Sequence, residues 1–193
     1  MLAKWCTSFA LAAVLIAGFE GNVWSADIYV VDGAHTRVDF TVTHLLISRV
    51  TGTFDDFRGT IIYDANDITK SSLSGTINVA SIDTANRKRD THLRGEDFFD
   101  AANHPQITFE TTRVEAGDGA PVLHGVLTMR GVSKEVAIPF RITRIADSAG
   151  ETRLRFEARL KLNRQDYGIS HSRLIRNEVS VELDGEAMKT TEN

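Results

Sequence analysis

From Asp27 onward the apolar residues of this chain recur at every second position, and that period decides what the chain can fold into. Between Thr152 and Leu162, Leu154, Phe156, Ala158, Leu160 and Leu162 share one face, and Arg153, Arg155, Glu157, Arg159 and Lys161 share the other. The stretch 134–145 repeats the pattern with Val136, Ile138, Phe140 and Ile142 inward. So do 73–82 with Leu73, Ile77 and Val79, 36–44 with Val38, Phe40, Val42 and His44, and 178–186 with Val179, Val181 and Leu183. Further strands are expected at 50–63, bent near Asp55 and Asp56, at 106–114 with Ile107 and Phe109, and at 122–129.

About eight strands joined by short turns make an antiparallel sheet with one apolar face. Gly117-Asp118-Gly119, Arg130-Gly131 and 147–150 have the composition of hairpin connections. No series of amphipathic helices is available to cover that face, so the sheet closes on itself or folds into a sandwich. Closure is favoured because it removes exposed edges. A membrane barrel is disfavoured, since its outer face is apolar and these outer faces carry Arg, Lys and Glu. One stretch breaks the period: 82–104 is charge-rich and does not alternate. Thr84 or Asn86 can cap a short helix over 86–94 that ends at Gly95, with Phe98 and Phe99 pinning the excursion to the barrel. An eight-stranded barrel of this kind can be filled by its own side chains or be hollow, and the alternation alone does not choose.

Residues 1–25 stand apart from this pattern. Lys4 precedes an apolar run from Ser8 to Phe19, too short to span a bilayer comfortably and of the length of a signal-peptide core. Val23 and Ser25 suit cleavage after Ser25, leaving 26–193 as one domain. The expected location is periplasmic or secreted. The single cysteine, Cys6, falls in the leader, so the mature chain has no disulfide, thiolate nucleophile or Cys-ligated metal. A net charge of −4 argues against a nucleic-acid partner.

Catalytic signatures are missing. The six histidines form no H-E-x-x-H or H-x-H pair, and no P-loop, nucleophile elbow or Gly-rich dinucleotide motif is present. No metal and no enzymatic activity are therefore expected. His44 continues the inward row of Val38, Phe40 and Val42. It is either an imidazole hydrogen-bonded at the barrel end or a contact to a ligand or haem iron. His35 is assigned to the Asp32-Gly33-Ala34 turn, and Asp166 to a turn after the strand that ends near Leu162.

The motifs carry a resemblance. Val31-Asp32-Gly33-Ala34-His35-Thr36, Val38 to Leu45 and Val50 to Gly59 open it. Ser81 to Asn86, Arg89-Asp90, His92-Leu93-Arg94, Asp97 to Asp100 and His104-Pro105 form its centre. Leu127 to Lys134 and Asn163 to Ile169 complete it. Across nearly the whole mature chain this order resembles the YceI-type polyisoprenoid-binding family; Gly95 stands where a serine is common. The resemblance implies a lipocalin-like barrel around a long apolar tunnel, and an exported carrier for an isoprenoid or similar long-chain lipid. No catalytic residue comes with it. The expected wall is Val38, Phe40, Val42, His44, Leu73, Ile77, Val79, Ile107, Phe109, Val136, Ile138, Phe140, Leu154, Phe156, Ala158, Leu160, Val179 and Val181.

Burying about ten tail carbons at about 0.8 kcal/mol each gives about 8 kcal/mol, near micromolar affinity before ordering costs. Arg87, Lys88, Arg89 and Arg94 are candidates for an anionic head group. Asp90, placed to pair with Arg87 and Arg94 along the helix, supports the competing reading of a solvated charged surface. No cofactor is expected beyond a bound isoprenoid lipid or quinone. The alternative function is a haem- or quinone-linked redox accessory, with haem disfavoured. A homodimer and an inner-membrane partner remain open.

Overall fold

The computed structural model describes residues 26–45, 47–146 and 152–190. The expected leader, 1–25, and the expected turn at 147–150 lie outside the described residues. The strands are β1 (Asp27–His44), β2 (Ser48–Phe54), β3 (Phe57–Tyr63), β4 (Ser72–Asn78), β5 (Ile82–Asp83), β6 (Gln106–Glu115), β7 (Val122–Met129), β8 (Val132–Ala146), β9 (Thr152–Asn163) and β10 (Ile175–Lys189). Following hydrogen bonds around the sheet gives β10-β9-β8-β7-β6-β4-β3-β1, and β10 pairs again with β1. Eight antiparallel strands thus close a barrel, with β2 and β5 as an extension.

The alternating rows explain the closure. Along β9, Leu154 and Phe156 are buried while Arg155, Glu157, Arg159 and Lys161 face water. The predicted bend near Asp55 and Asp56 separates β2 from β3. Asn78 holds it: its N–H donates to the Asp56 carbonyl at 2.9 Å and its side-chain amide to the Asp56 carboxylate at 3.2 Å. The long β1 can then serve two neighbours, pairing with β3 over Asp27–Val30 and with β2 over Val38–His44. Within β1, Asp32 accepts from the Ala34 N–H at 3.0 Å and lies 2.7 Å from His35 Nδ1, which builds the expected turn as a bulge in the strand.

One strand is shorter than its pattern. Expected over 73–82, it ends at Asn78, whose side chain accepts from the Ala80 N–H and caps a 3₁₀ turn, Val79–Ser81. Val79 therefore leaves the row of Leu73 and Ile77 and is buried in the core.

Because the strands alternate in direction, their connections sort to two ends. The lower end carries 64–71 and 116–121 and is sealed by Tyr29, Val31, Ile61, Leu154, Phe156 and Ala187, all in the buried core. The upper end carries the β1–β2 turn, the Arg130-Gly131 turn and the two longest described connections, 79–105 and 164–174. The first contains α1 (Arg87–Arg94), within the predicted span. The Asn86 side chain accepts from the Arg89 N–H at its start, and the Gly95 N–H donates to the His92 carbonyl at its end.

Candidate functional site

Above the sealed end the barrel holds two apolar chambers stacked along its axis, with cavity volumes of about 110 Å³ (upper) and about 120 Å³ (lower). Phe40, Phe54, Ile107, Met129, Leu162 and Val181 wall both, so the chambers meet at this belt. Small residues help keep the space open. A Cβ at Gly52 would sit 2.5 Å from Phe40 Cζ, and one at Gly125 would sit 2.4 Å from Phe109 Cζ. Each ring lies against the bare backbone of a neighbouring strand instead of extending across the lumen. Empty apolar space in a core costs about 24 cal/mol per Å³, so each chamber represents roughly 2.5–3 kcal/mol that an apolar occupant recovers.

The wall contains many of the inward positions named above. Phe40, Val42, Ile107, Val179 and Val181 border the upper chamber; Val38, Phe40, Leu73, Ile77, Ile107, Phe109, Ile138, Ala158, Leu160 and Val181 border the lower. The remaining ones lie elsewhere. Leu154 and Phe156 belong to the sealed end, and Val79 to the core beside the 79–105 connection. Val136 and Phe140 are half-buried and pack on the core without bordering a chamber. His44 pairs with Ser48 and Ile175 at the strand end and borders neither chamber. Among the described residues no histidine borders either chamber.

Both long connections roof the upper chamber: Leu93, Phe98 and Phe99 come from the first, Arg164, Tyr167 and Ile169 from the second. The Phe99 ring stacks edge-on against Phe54 at 5.7 Å. The candidate head-group arginines have other partners. Arg89 donates to the Thr84 hydroxyl and carbonyl, both at 2.7 Å, and Arg94 to the carbonyls of Ala80 (3.0 Å) and Ile82 (2.8 Å). Asp90 does not pair with Arg87 or Arg94. It is buried and accepts from the Thr84 N–H and hydroxyl. Arg87 and Lys88 are exposed to solvent, and none of the four cations borders a chamber.

Arg164 and Tyr167 also line the upper chamber, with carbon atoms and not with their polar ones, and sequence reasoning did not single them out as site residues. Arg164 is 7% exposed, and its guanidinium donates to five backbone carbonyls: Ile169, His171, Ser172, Ile175 and Arg176. This uses all of its donors without a neutralising carboxylate. Burial pushes its pKa down from the ordinary value, yet a guanidinium stays charged. Tyr167 is 2% exposed, and its hydroxyl has no hydrogen-bond partner among the described residues. Burial, then the nearby Asp166 carboxylate, raises its pKa and keeps it a neutral donor. The available signal was the motif Asn163 to Ile169, but nothing in it says that Arg164 and Tyr167 turn inward.

With this geometry in hand, the comparisons with known proteins agree. The model of the YceI-like domain matches residues 29–187. A UPF0312 protein of Azotobacter vinelandii is 38% identical over 173 residues, 88% of each chain. One from Ectopseudomonas mendocina is 38% identical over 167 residues, 83% of this chain and 87% of its own. Among solved structures, the Campylobacter jejuni YceI protein superposes with a TM-score of 0.67 at 30% identity, covering 78% of this chain and 90% of its own. Burkholderia cenocepacia BcnA superposes at 0.73 with 24% identity, covering 82% and 99%. A polyisoprenoid binding domain from Saccharophagus degradans reaches 0.69 at 14% identity, covering 86% and 100%; these last two likenesses speak for the fold.

Proposed function

Because the chain belongs to the YceI-like family and its barrel encloses two stacked apolar chambers, we propose that it is an exported, periplasmic or secreted carrier for a long-chain isoprenoid lipid. The tail lies in the lumen and the polar head under the roof. The observation that carries this reading is the pair of chambers, apolar throughout their walls. A narrow stacked lumen suits a chain better than a compact ligand. The Saccharophagus degradans domain, which shares the fold, is named for binding this class of ligand. Membership in a family of binding proteins supports a role in holding the ligand.

Solvent extraction of the natively purified protein, followed by mass spectrometry, tests the reading. A lipid with an isoprenoid chain, recovered at close to one per protein, is the expected result; an isoprenoid quinone would identify the head. Protein that yields no lipid, and that when stripped takes up no polyprenol, would overturn it.

A further inference from the structure

We propose that His92, Asp97 and His171 form a binding site for one divalent transition-metal ion, zinc-like in its preference, that ties the two roof connections together. His92 is on α1 and Asp97 follows it in the first connection; His171 is in the second. No local sequence spacing announces the site, because its ligands are brought together only by the roof. His92 Nε2 lies 3.3 Å from one Asp97 carboxylate oxygen and His171 Nδ1 lies 3.5 Å from the other. One ligand atom from each residue falls within 4.8 Å of the others. Tetrahedral zinc, with bonds of about 2.0–2.2 Å, places neighbouring ligand atoms about 3.3–3.5 Å apart. The two imidazoles approach different oxygens of Asp97, so a carboxylate binding through one oxygen keeps one of these separations, and the others, all within 4.8 Å, close by rotation of exposed side chains.

Two imidazoles and one carboxylate suit zinc and its transition-metal neighbours and leave a position open for water or another oxygen ligand. The platform beneath is rigid. The His92 and His171 rings stand 5.3 Å apart, and both pack on Phe98, at 4.9 and 5.1 Å. Phe98 is 7% exposed and borders the upper chamber. Arg130 bridges the same two connections close by, donating to the carbonyls of Glu96 and Gly168. The metal ion replaces the His92–Asp97 hydrogen bond and the His171–Asp97 contact with coordinate bonds across the roof.

Metal binding does not depend on the identity of the lipid and is measured without it. Untagged full-length protein, stripped with chelator, is titrated with Zn²⁺ by calorimetry and with Co²⁺ by visible absorption. One equivalent is expected to bind, with Co²⁺ bands of a four- or five-coordinate nitrogen–oxygen site and a rise in melting temperature. His92→Ala, His171→Ala and Asp97→Asn each weaken binding about tenfold or more. Cys6 and the other histidines are unchanged in these variants, so binding there would persist. Melting of each variant in chelator shows whether it is folded, and Asp97→Asn serves should a histidine variant not be. Folded His92→Ala/His171→Ala protein that binds Zn²⁺ and Co²⁺ as tightly as the parent overturns the proposal, as does a parent that binds neither.

Discussion

The guanidinium of Arg164 donates to the carbonyl oxygen of Ile169 at 2.8 Å, and both residues border the upper chamber. The same side chain gathers four more carbonyls, those of His171 and Ser172 in its own connection and of Ile175 and Arg176 at the start of β10, so this cation organises one half of the roof. Arg164→Met leaves five backbone carbonyls, that of buried Ile169 among them, without this donor and should cost about 3 kcal/mol or more. Arg164→Lys should recover little, because an ammonium has three donors on one point where the site uses five on a fork. Urea denaturation of the three proteins measures this. A methionine variant as stable as the parent would show that the carbonyls find water instead.

Tyr167 makes a separable prediction. Its hydroxyl is buried without a partner among the described residues, so Tyr167→Phe removes an unpaired polar group and should leave the ligand-free protein equally or more stable. If the lipid head takes that donor, the same variant weakens binding of ligands with a head-group oxygen about tenfold, a loss near 1.4 kcal/mol. The pH dependence follows from the raised pKa. The folded chain keeps the Tyr167 proton above the pH at which the unfolded chain loses it. Stability from this group is therefore complete below the ordinary tyrosine pKa, about 10, and falls as pH rises through the higher folded value. Tyr167→Phe should flatten that alkaline decline. A decline identical in both proteins would assign it to another group, Tyr29 first, whose pKa burial also raises.

The strands were legible because their rows are one-sided. Leu154 to Leu162 cannot alternate with Arg and Lys and fold as anything but a half-buried strand. Depth along the barrel was not legible. Leu154 and Leu160 share one row, but Leu154 plugs the sealed end while Leu160 borders the lower chamber. A period of two sorts side chains between faces and carries no information on height or on whether opposite walls meet. The roof was hidden for a second reason. Arg89, Arg94, Arg130 and Arg164 all donate to backbone carbonyls, which have no residue identity and leave no pattern in a sequence.

Ala158 is the small residue in the inward row of β9, and it borders the lower chamber. Ala158→Trp would place an indole in that space. Because a hollow receives it, the penalty should stay at or below the roughly 1–3 kcal/mol of ordinary overpacking. Long polyprenols, which need both chambers, should no longer enter, while a short prenol that fits the upper chamber should bind as before. Circular dichroism establishes the fold, and displacement of a fluorescent lipid reads the binding. Undiminished uptake of the long chain by the folded variant would show that the tail does not pass Ala158.

Phe98 is a buried anchor of the roof. Truncating a buried phenylalanine costs about 3–5 kcal/mol, and here the loss should fall on the roof before the barrel. Phe98→Ala should release bound lipid faster, with amide exchange rising over 86–100 while the amides of β6 to β9 stay protected. Uniform loss of protection in all strands would instead make Phe98 part of the global core.

The roof end of the upper chamber should discriminate between head groups. Arg87 and Lys88 are exposed, so any preference they produce is screened by salt. Arg94 is committed to the carbonyls of Ala80 and Ile82, and its removal should loosen the first connection without changing head-group choice. Among the described residues, Arg164 is buried beside the upper chamber with no carboxylate to offset it, and the buried Tyr167 hydroxyl next to that chamber has no partner. A polyprenyl diphosphate should therefore bind about tenfold tighter than the neutral alcohol of equal length, about 1.4 kcal/mol. Most of that preference should persist at high salt, because buried charges are poorly screened. Arg87→Ala should leave it nearly unchanged, and Tyr167→Phe should reduce it. Calorimetric titration of both ligands at low and high salt decides the matter. A preference that vanishes with salt and with Arg87→Ala would move the head group out to the surface of α1, and equal affinities under all conditions would leave tail burial as the whole of the binding energy.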